Sequence, residues 1–281
     1  MGKRYGRLEM AGRMEAVLRT GRPIIAAGAG NGLSAKCSEL GGADLVIIYN
    51  SGIFRMDGLA SIAGLLPYGN ANDIVYELGE RHVLPVVKEI PVVAGICGTD
   101  PTRDMGRFLE KVAAAGFSGV INYPTVARFD GVFRRELEAV GLGFAREVEM
   151  IARARGLDLY TLAYVRTPEE ARQMAAAGAD IVVPHVGLTA GGTVGSQNLL
   201  PLEEAAVLAQ AMISAARAVA PQVLALAHGG PIAEPGDVAY ILEHTDAQGF
   251  VGASSIERLP VERAMIATVQ QFKKLELRPR S

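Results

Sequence analysis

Pro91-Val92-Val93-Ala94-Gly95-Ile96-Cys97-Gly98-Thr99-Asp100-Pro101-Thr102 is the stretch whose reading decides the fold. It opens as an apolar, β-branched run, the pattern of a strand buried on both faces. It then turns polar within four residues, at Cys97, Thr99 and Asp100, with Gly98 easing the turn. Asp100 before Pro101 predicts an N-cap followed by a first helical position. The helical spacing from Met105 to Ala115 stops at Gly116. Buried strand, chemically equipped turn and helix thus follow one another, and in a parallel α/β protein such a turn lies at the carboxyl end of the sheet, where ligands bind.

Working outward, the pattern recurs. Strands are expected at Pro23–Ala27, Leu45–Tyr49, Gly119–Tyr123, Leu157–Ala163, Ile181–His185, Val223–Ala227 and Gly249–Gly252, each followed by a turn and a helical segment. Eight strand–helix units without an interdomain linker predict a single (β/α)₈ TIM barrel over 1–281, since parallel strands need crossover helices. A doubly wound open sheet is the structural alternative. Residues 1–22 predict a leading helix, with Leu8, Met10, Met14, Val17 and Leu18 on one side, placed to close the bottom of the barrel. A long loop is expected after strand two, from Ile53 to about Ala71, where functional insertions commonly sit.

Composition narrows the function. The 281 residues are 49% hydrophobic and 21% charged, with net charge −2 and pI ≈ 6.1. No basic stripe or RNP-like motif suggests nucleic acid, and no apolar run is long enough to span a bilayer. The first twenty residues lack the apolar core of a secretory signal. Cys37 and Cys97 make no disulfide framework, so a cytoplasmic protein is expected.

The strand ends supply the candidate chemistry. Gly229-Gly230 follows strand seven and Gly252-Ala253-Ser254-Ser255 follows strand eight, the two loops that often hold phosphate in barrel enzymes. Ser254-Ser255-Ile256-Glu257 has capping-box spacing, and a short helix starting there would offer free N–H groups to an anion. His185 and His228 end strands six and seven and are candidate proton donors or acceptors. Cys97 is a candidate nucleophile if the following helix lowers its pKa, and otherwise a small core residue. Asp100 is a candidate base or metal ligand. Asn31, in Gly28-Ala29-Gly30-Asn31-Gly32, together with Asn50, Ser51, Gly98, Thr99, Asn122 and Tyr123, completes the expected substrate-binding set. The third glycine of a dinucleotide fingerprint would fall at Leu33, so that reading does not fit. No His-Glu or multi-Cys zinc spacing occurs.

Three segments carry a resemblance: Val93–Pro101, Gly64-Leu65-Leu66-Pro67-Tyr68-Gly69-Asn70-Ala71-Asn72, and His228-Gly229-Gly230-Pro231. With them the chain resembles the phosphoenolpyruvate hydrolase-like TIM-barrel proteins, related to the phosphoenolpyruvate mutase and isocitrate lyase barrels. The resemblance implies a small anionic substrate of phosphoenolpyruvate or pyruvate type, Mg²⁺ held at Asp100, a hydrolase, phosphomutase or C–C lyase activity, and a homo-oligomer. Several acidic metal ligands found in the mutase and lyase families have no counterpart at these turns, where Asp100 and Asp57 are the obvious acids. A non-catalytic barrel that binds a ligand and signals through a partner is therefore the alternative.

Overall fold

The computed structural model describes residues 2–278. Eight parallel strands form one sheet: β1 (Ile24–Ala29), β2 (Leu45–Ile48), β3 (Val92–Ile96), β4 (Gly119–Asn122), β5 (Tyr160–Val165), β6 (Ile181–Pro184), β7 (Leu224–Ala225) and β8 (Gly249–Gly252). Neighbours run in chain order, and β1 also pairs with β8 in parallel, Ile24 opposite Gly249. Between β7 and β8 the ring closes through the Ala227–Phe250 bridge, where Ala227 N–H donates to Gly249 O at 3.0 Å. The expected (β/α)₈ TIM barrel is what the chain forms.

Period-2 alternation assigns each strand residue to one of two cores. Ile24 and Ala26, Leu45 and Ile47, Tyr160 and Leu162, Ile181 and Val183 point into the ring. Their neighbours Val46, Ile48, Val120, Ala163 and Val182 pack outward beneath the helices. The amino-terminal end of the ring is plugged by α1 (Arg7–Arg19), whose Met10 and Met14, with Tyr5 just before it, are fully buried in the inner core. Arg7 anchors this helix at 2.7 Å from Asp180.

Continued past the strand ends, the same alternation turns Tyr49, Tyr123, Tyr164, His185 and His228 to the carboxyl-end mouth. Gly95 makes room for this layer: a Cβ there would lie 3.0 Å from the Tyr49 ring and 2.9 Å from Ile48 O.

Several boundaries differ from the sequence expectation. The third crossover helix, α5 (Met105–Ala115), is capped by Asp104, whose carboxylate accepts from Arg107 N–H, and not by Asp100. Strand β5 begins at Tyr160, not Leu157, because Asp158 takes positive φ and breaks the extended run. No helix starts at Ser254: residues 254–257 form turns and the last helix, α11, spans Arg258–Lys273. The capping-box reading fails there because Glu257 is drawn elsewhere, as described below. The loop after β2 is largely helical, with α3 (Asn50–Met56) and a 3₁₀ turn at Ser61–Leu65. The apolar stripe of α11 packs onto nothing among the described residues: Met265, Val269 and Phe272 are 64%, 58% and 68% exposed. Among the described residues no helix is long and apolar enough to cross a membrane.

Candidate functional site

The mouth encloses a cavity of about 60 Å³, lined by Tyr49, Ser51, Arg55, Ser61, Tyr123, Tyr164, His185, His228, Ser254 and Arg258. At a water's share of liquid volume, about 30 Å³, that is room for about two waters. His185 and His228 are 5% and 8% exposed and meet edge to face, ring centroids 4.7 Å apart. Tyr164 lies against both, at 5.3 and 5.0 Å. Its hydroxyl is 2.7 Å from that of Tyr49.

Both imidazoles are held neutral. Burial pushes His228 down to about 4, aided by the nearby charges of Arg128 and Arg55 against an opposing hydrogen bond to Val251 O. Burial, His228 and Arg128 lower His185 well below the usual range. Their backbone partners assign opposite tautomers. His228 Nδ1 lies 2.7 Å from the Val251 carbonyl and must donate, leaving Nε2 as a bare acceptor. His185 Nδ1 accepts from Gly187 N–H at 3.3 Å, which leaves its proton on Nε2. One ring thus presents a lone pair and the other an N–H. Burial likewise raises the hydroxyls of Tyr49, Tyr123 and Tyr164, so all three stay protonated donors.

The cations around the mouth are not equal. Arg55 is fully buried with Glu257 at 2.7 Å, and Glu257 also accepts from Gly30 N–H at 2.6 Å and Ser34 Oγ at 2.5 Å. This group ties the first, second and eighth loops together, and it is why Glu257 does not cap a helix. Arg258 pairs with Glu262 at 2.9 Å. Arg128, in the loop after β4, has no such carboxylate among the described residues. Its Nη1 is buried without a partner among the described residues, and burial together with Arg166 lowers it to about 10.

Other expected site residues are engaged elsewhere. Gly230 N–H donates to Gly187 O at 2.9 Å, and a Cβ at Gly229 would collide with Gly187 O. These glycines, at φ +84° and +59°, let the seventh loop pack on the sixth. Gly252 sits within β8, where a Cβ would strike Ile256. Ser254 does face the mouth and lies 3.3 Å from Ser61, whereas the Ser255 hydroxyl is buried outside that lining. Asn31 caps α2 (Gly32–Leu40) by accepting from Ser34 N–H, away from the cavity. Asn122 is fully buried behind the mouth, bonded to Tyr164 N–H and O and to Glu147.

Asp100 has no free oxygen. Its Oδ1 accepts from Thr102 N–H at 2.9 Å and Thr102 Oγ1 at 2.6 Å. Its Oδ2 accepts from Asn70 and Asn72 at 3.0 Å each and from Arg103 Nε at 2.6 Å. Burial opposes ionisation, but the bonds from Thr102, Asn70 and Asn72 win and hold the carboxyl well below the usual range. Mg²⁺ needs carboxylate oxygens free to bind it, and a site with a guanidinium already on that oxygen does not fit it. Asp57 is exposed on the surface. Among the described residues no three His, Cys, Asp or Glu side chains stand close enough to share a metal. Cys97, with Gly98 and Thr99 in the same corner, is no activated thiolate: burial raises it, against a weaker opposing bond from Thr99. The corner also holds Glu147, a residue that helical spacing gave no reason to single out. It projects inward from α7 (Phe144–Gly156), and burial pushes it up to about 7 against hydrogen bonds from Val126, Thr125 and Asn122.

A family model for phosphoenolpyruvate hydrolase-like proteins matches residues 9–275. The chain belongs to the phosphoenolpyruvate hydrolase-like family. Within reach of this family assignment, it is 50% identical over 272 residues to the ToMV susceptible protein tm-1(GCR26) of Solanum lycopersicum. That match covers 96% of this chain and 36% of the tomato protein, so the chain spans about a third of that relative's length. In fold it is similar to a phosphonopyruvate hydrolase solved with oxalate and Mg²⁺ (TM-score 0.60, 16% identity, 94% of this chain and 88% of that one). It is similar also to oxaloacetate acetylhydrolase (TM-score 0.61, 15% identity, 98% and 90%). Likeness at that identity speaks for the shared barrel of this phosphoenolpyruvate hydrolase-like chain, and its chemistry rests on its own side chains.

Proposed function

We propose that this chain is an enzyme that binds a small carboxylate of phosphoenolpyruvate or pyruvate type in the barrel mouth and moves a proton on it. The observation that carries the reading is the His185–His228 pair, neutral, in opposite tautomers, beside the Tyr49–Tyr164 hydroxyl pair. Arg128 lies outside the cavity lining but close enough for its charge to act on both imidazoles, and it would supply long-range attraction for the carboxylate. His228 Nε2 would accept a substrate proton, while His185 Nε2–H and the tyrosine hydroxyls would donate to the oxygen on which charge develops. Of the reaction types implied by the family, C–C lyase chemistry suits this set best. The base takes a hydroxyl proton from a hydroxy acid, that oxygen becomes a carbonyl as the adjacent C–C bond breaks, and the bond's electron pair forms an enolate that the donors hold until the imidazolium returns the proton to carbon. Phosphoryl transfer is less well served, because Gly230 N–H is already bonded and Asp100 offers no oxygen for Mg²⁺. Calorimetry with phosphoenolpyruvate, pyruvate and oxalate, each with and without Mg²⁺, tests binding, and loss of turnover in His228→Gln tests the mechanism.

A second reading is favoured by the absence of an unpaired carboxylate among the residues lining the mouth. A non-catalytic barrel that senses the same acid would bind it without turnover. For either reading we propose self-association through the exposed stripe of α11, whose Met265, Val269 and Phe272 need cover. Sedimentation of wild type against Phe272→Glu checks it: the variant is expected to sediment as a smaller species.

A further inference from the structure

Beside the mouth lies a second cleft, of about 510 Å³, which shares no lining residue with it. The wall between them is thin. Asn50 and Pro124 face the cleft, whereas their chain neighbours Ser51 and Tyr123 face the mouth. The cleft is bounded by the loop after β2 on one side and by α6 (Gly131–Ala139) with its flanking loops on the other. Its sides are chiefly Leu65, Leu66, Phe129, Phe133, Leu137 and Leu142. Phe129 and Phe133 pack edge to face at 5.1 Å, and Phe133 remains 54% exposed.

Two features specify what would fill this space. The charge at its edge is already balanced, since the Asp100 carboxylate lies 2.6 Å from Arg103 Nε and accepts four further bonds. A charged ligand therefore finds no counter-ion there. Asn50 is part of the lining and is only 3% exposed. Its Nδ2 donates to Gly64 O at 2.8 Å, which fixes the amide orientation. The Oδ1 is left buried with no hydrogen-bond partner among the described residues. Buried acceptors are normally satisfied, and apolar clefts of this size with one or two fixed polar groups are the usual form of a small-molecule site.

We infer that this cleft binds a neutral, largely apolar small molecule whose hydroxyl or amide N–H donates to Asn50 Oδ1. The site is independent of the proposed chemistry at the mouth, and failure of one leaves the other standing. Benzyl alcohol and benzyl methyl ether, which differ in the donor, are suitable probes in an amide- and aromatic-resolved NMR titration of the whole chain. Benzyl alcohol is expected to shift signals of 64–71 and of Phe129 and Phe133 saturably, with the imidazoles of the mouth unmoved. The ether should bind about ten-fold more weakly, the loss of one hydrogen bond to a buried acceptor. Asn50→Ala should erase that difference. Because it also removes the bond to Gly64 O, Leu142→Trp provides a second check by filling the cleft, and should abolish binding while leaving the mouth signals unchanged. Equal binding of the two probes, shifts at His185 and His228 instead, or no saturable binding of benzyl alcohol would each overturn the inference.

Discussion

Two corners of the barrel mouth carry polar side chains, and they use them in opposite ways. The corner after β3 and β4 holds Asp100, Arg103, Asn70, Asn72, Asn122 and Glu147, and nearly every donor and acceptor there is already bonded to another. The corner after β5 to β7 holds Tyr164, His185 and His228, which keep free atoms turned to the cavity. A polar cluster is chemistry only where its groups are not consumed in holding their own loops. In the function we propose, the more acidic corner is scaffold and the more aromatic one acts.

The first way to break this contrast is at the aromatic corner. Loss of a positioned acid–base group costs about 10²–10⁴ in rate. His228→Gln is therefore expected to reduce turnover of the accepted acid by that factor with little change in melting temperature. A similar loss in Asp100→Ala would erase the distinction between the corners. Next comes the Arg55–Glu257 pair beneath the mouth, which is a fixture shared by both. Glu257→Ala leaves a buried guanidinium unpaired, and denaturant unfolding should show a loss of about 3–5 kcal/mol.

The scaffold corner should respond to pH rather than to substrate. Glu147 titrates at about 7 in the fold and near 4.3 when unfolded. The folded state therefore holds the proton more tightly. Its contribution to stability is fully present below about pH 4.3 and is lost as pH rises through about 7, a change on the order of 3 kcal/mol. Glu147→Gln should lack that fall, seen by comparing unfolding curves of the two proteins from pH 4.5 to 8. Asp100 works with the opposite sign. Its depressed pKa gives stability that is present above about pH 4 and lost as pH drops further. Asp100→Ala should cost roughly 1–3 kcal/mol at pH 7, less in strong acid, and leave affinity for the acid unchanged. The smallest effect is expected from Cys97→Ala. Its half-buried, protonated thiol predicts turnover within about two-fold of wild type, and slower alkylation of Cys97 than of the exposed Cys37.

The barrel was legible because it rests on repetition. Runs such as Leu45–Ile48 and Ile181–Pro184 are apolar on both faces, and each is followed by a helix with its own stop. His185 and His228 were found by the same logic, as polar residues at strand ends. Availability of a side chain was not legible, since it depends on partners distant in sequence. Asp100 reads as a cap or a ligand until Asn70 and Asn72, about thirty residues earlier, take its second oxygen. Glycines after strand seven read as an anion cradle until the sixth loop proves to need the space. Arg128, with Arg55 and Arg103, reads from sequence as a candidate anion clamp, but which of the three lacks a carboxylate is a fact of packing, and the buried carboxyl of Glu147 escapes for the same reason. The stripe on α11 shows the converse limit, because apolar helical spacing says that a face wants cover and not which surface provides it.

The central claim is that the histidine–tyrosine corner, and not Asp100, receives the substrate. The most direct measurement is an NMR titration with oxalate that follows the imidazole signals of His185 and His228, with and without Mg²⁺, in wild type and Asp100→Ala. The account predicts saturable shifts of both imidazoles in all four experiments, with similar affinity. Shifts that require Mg²⁺ and vanish in Asp100→Ala would contradict it.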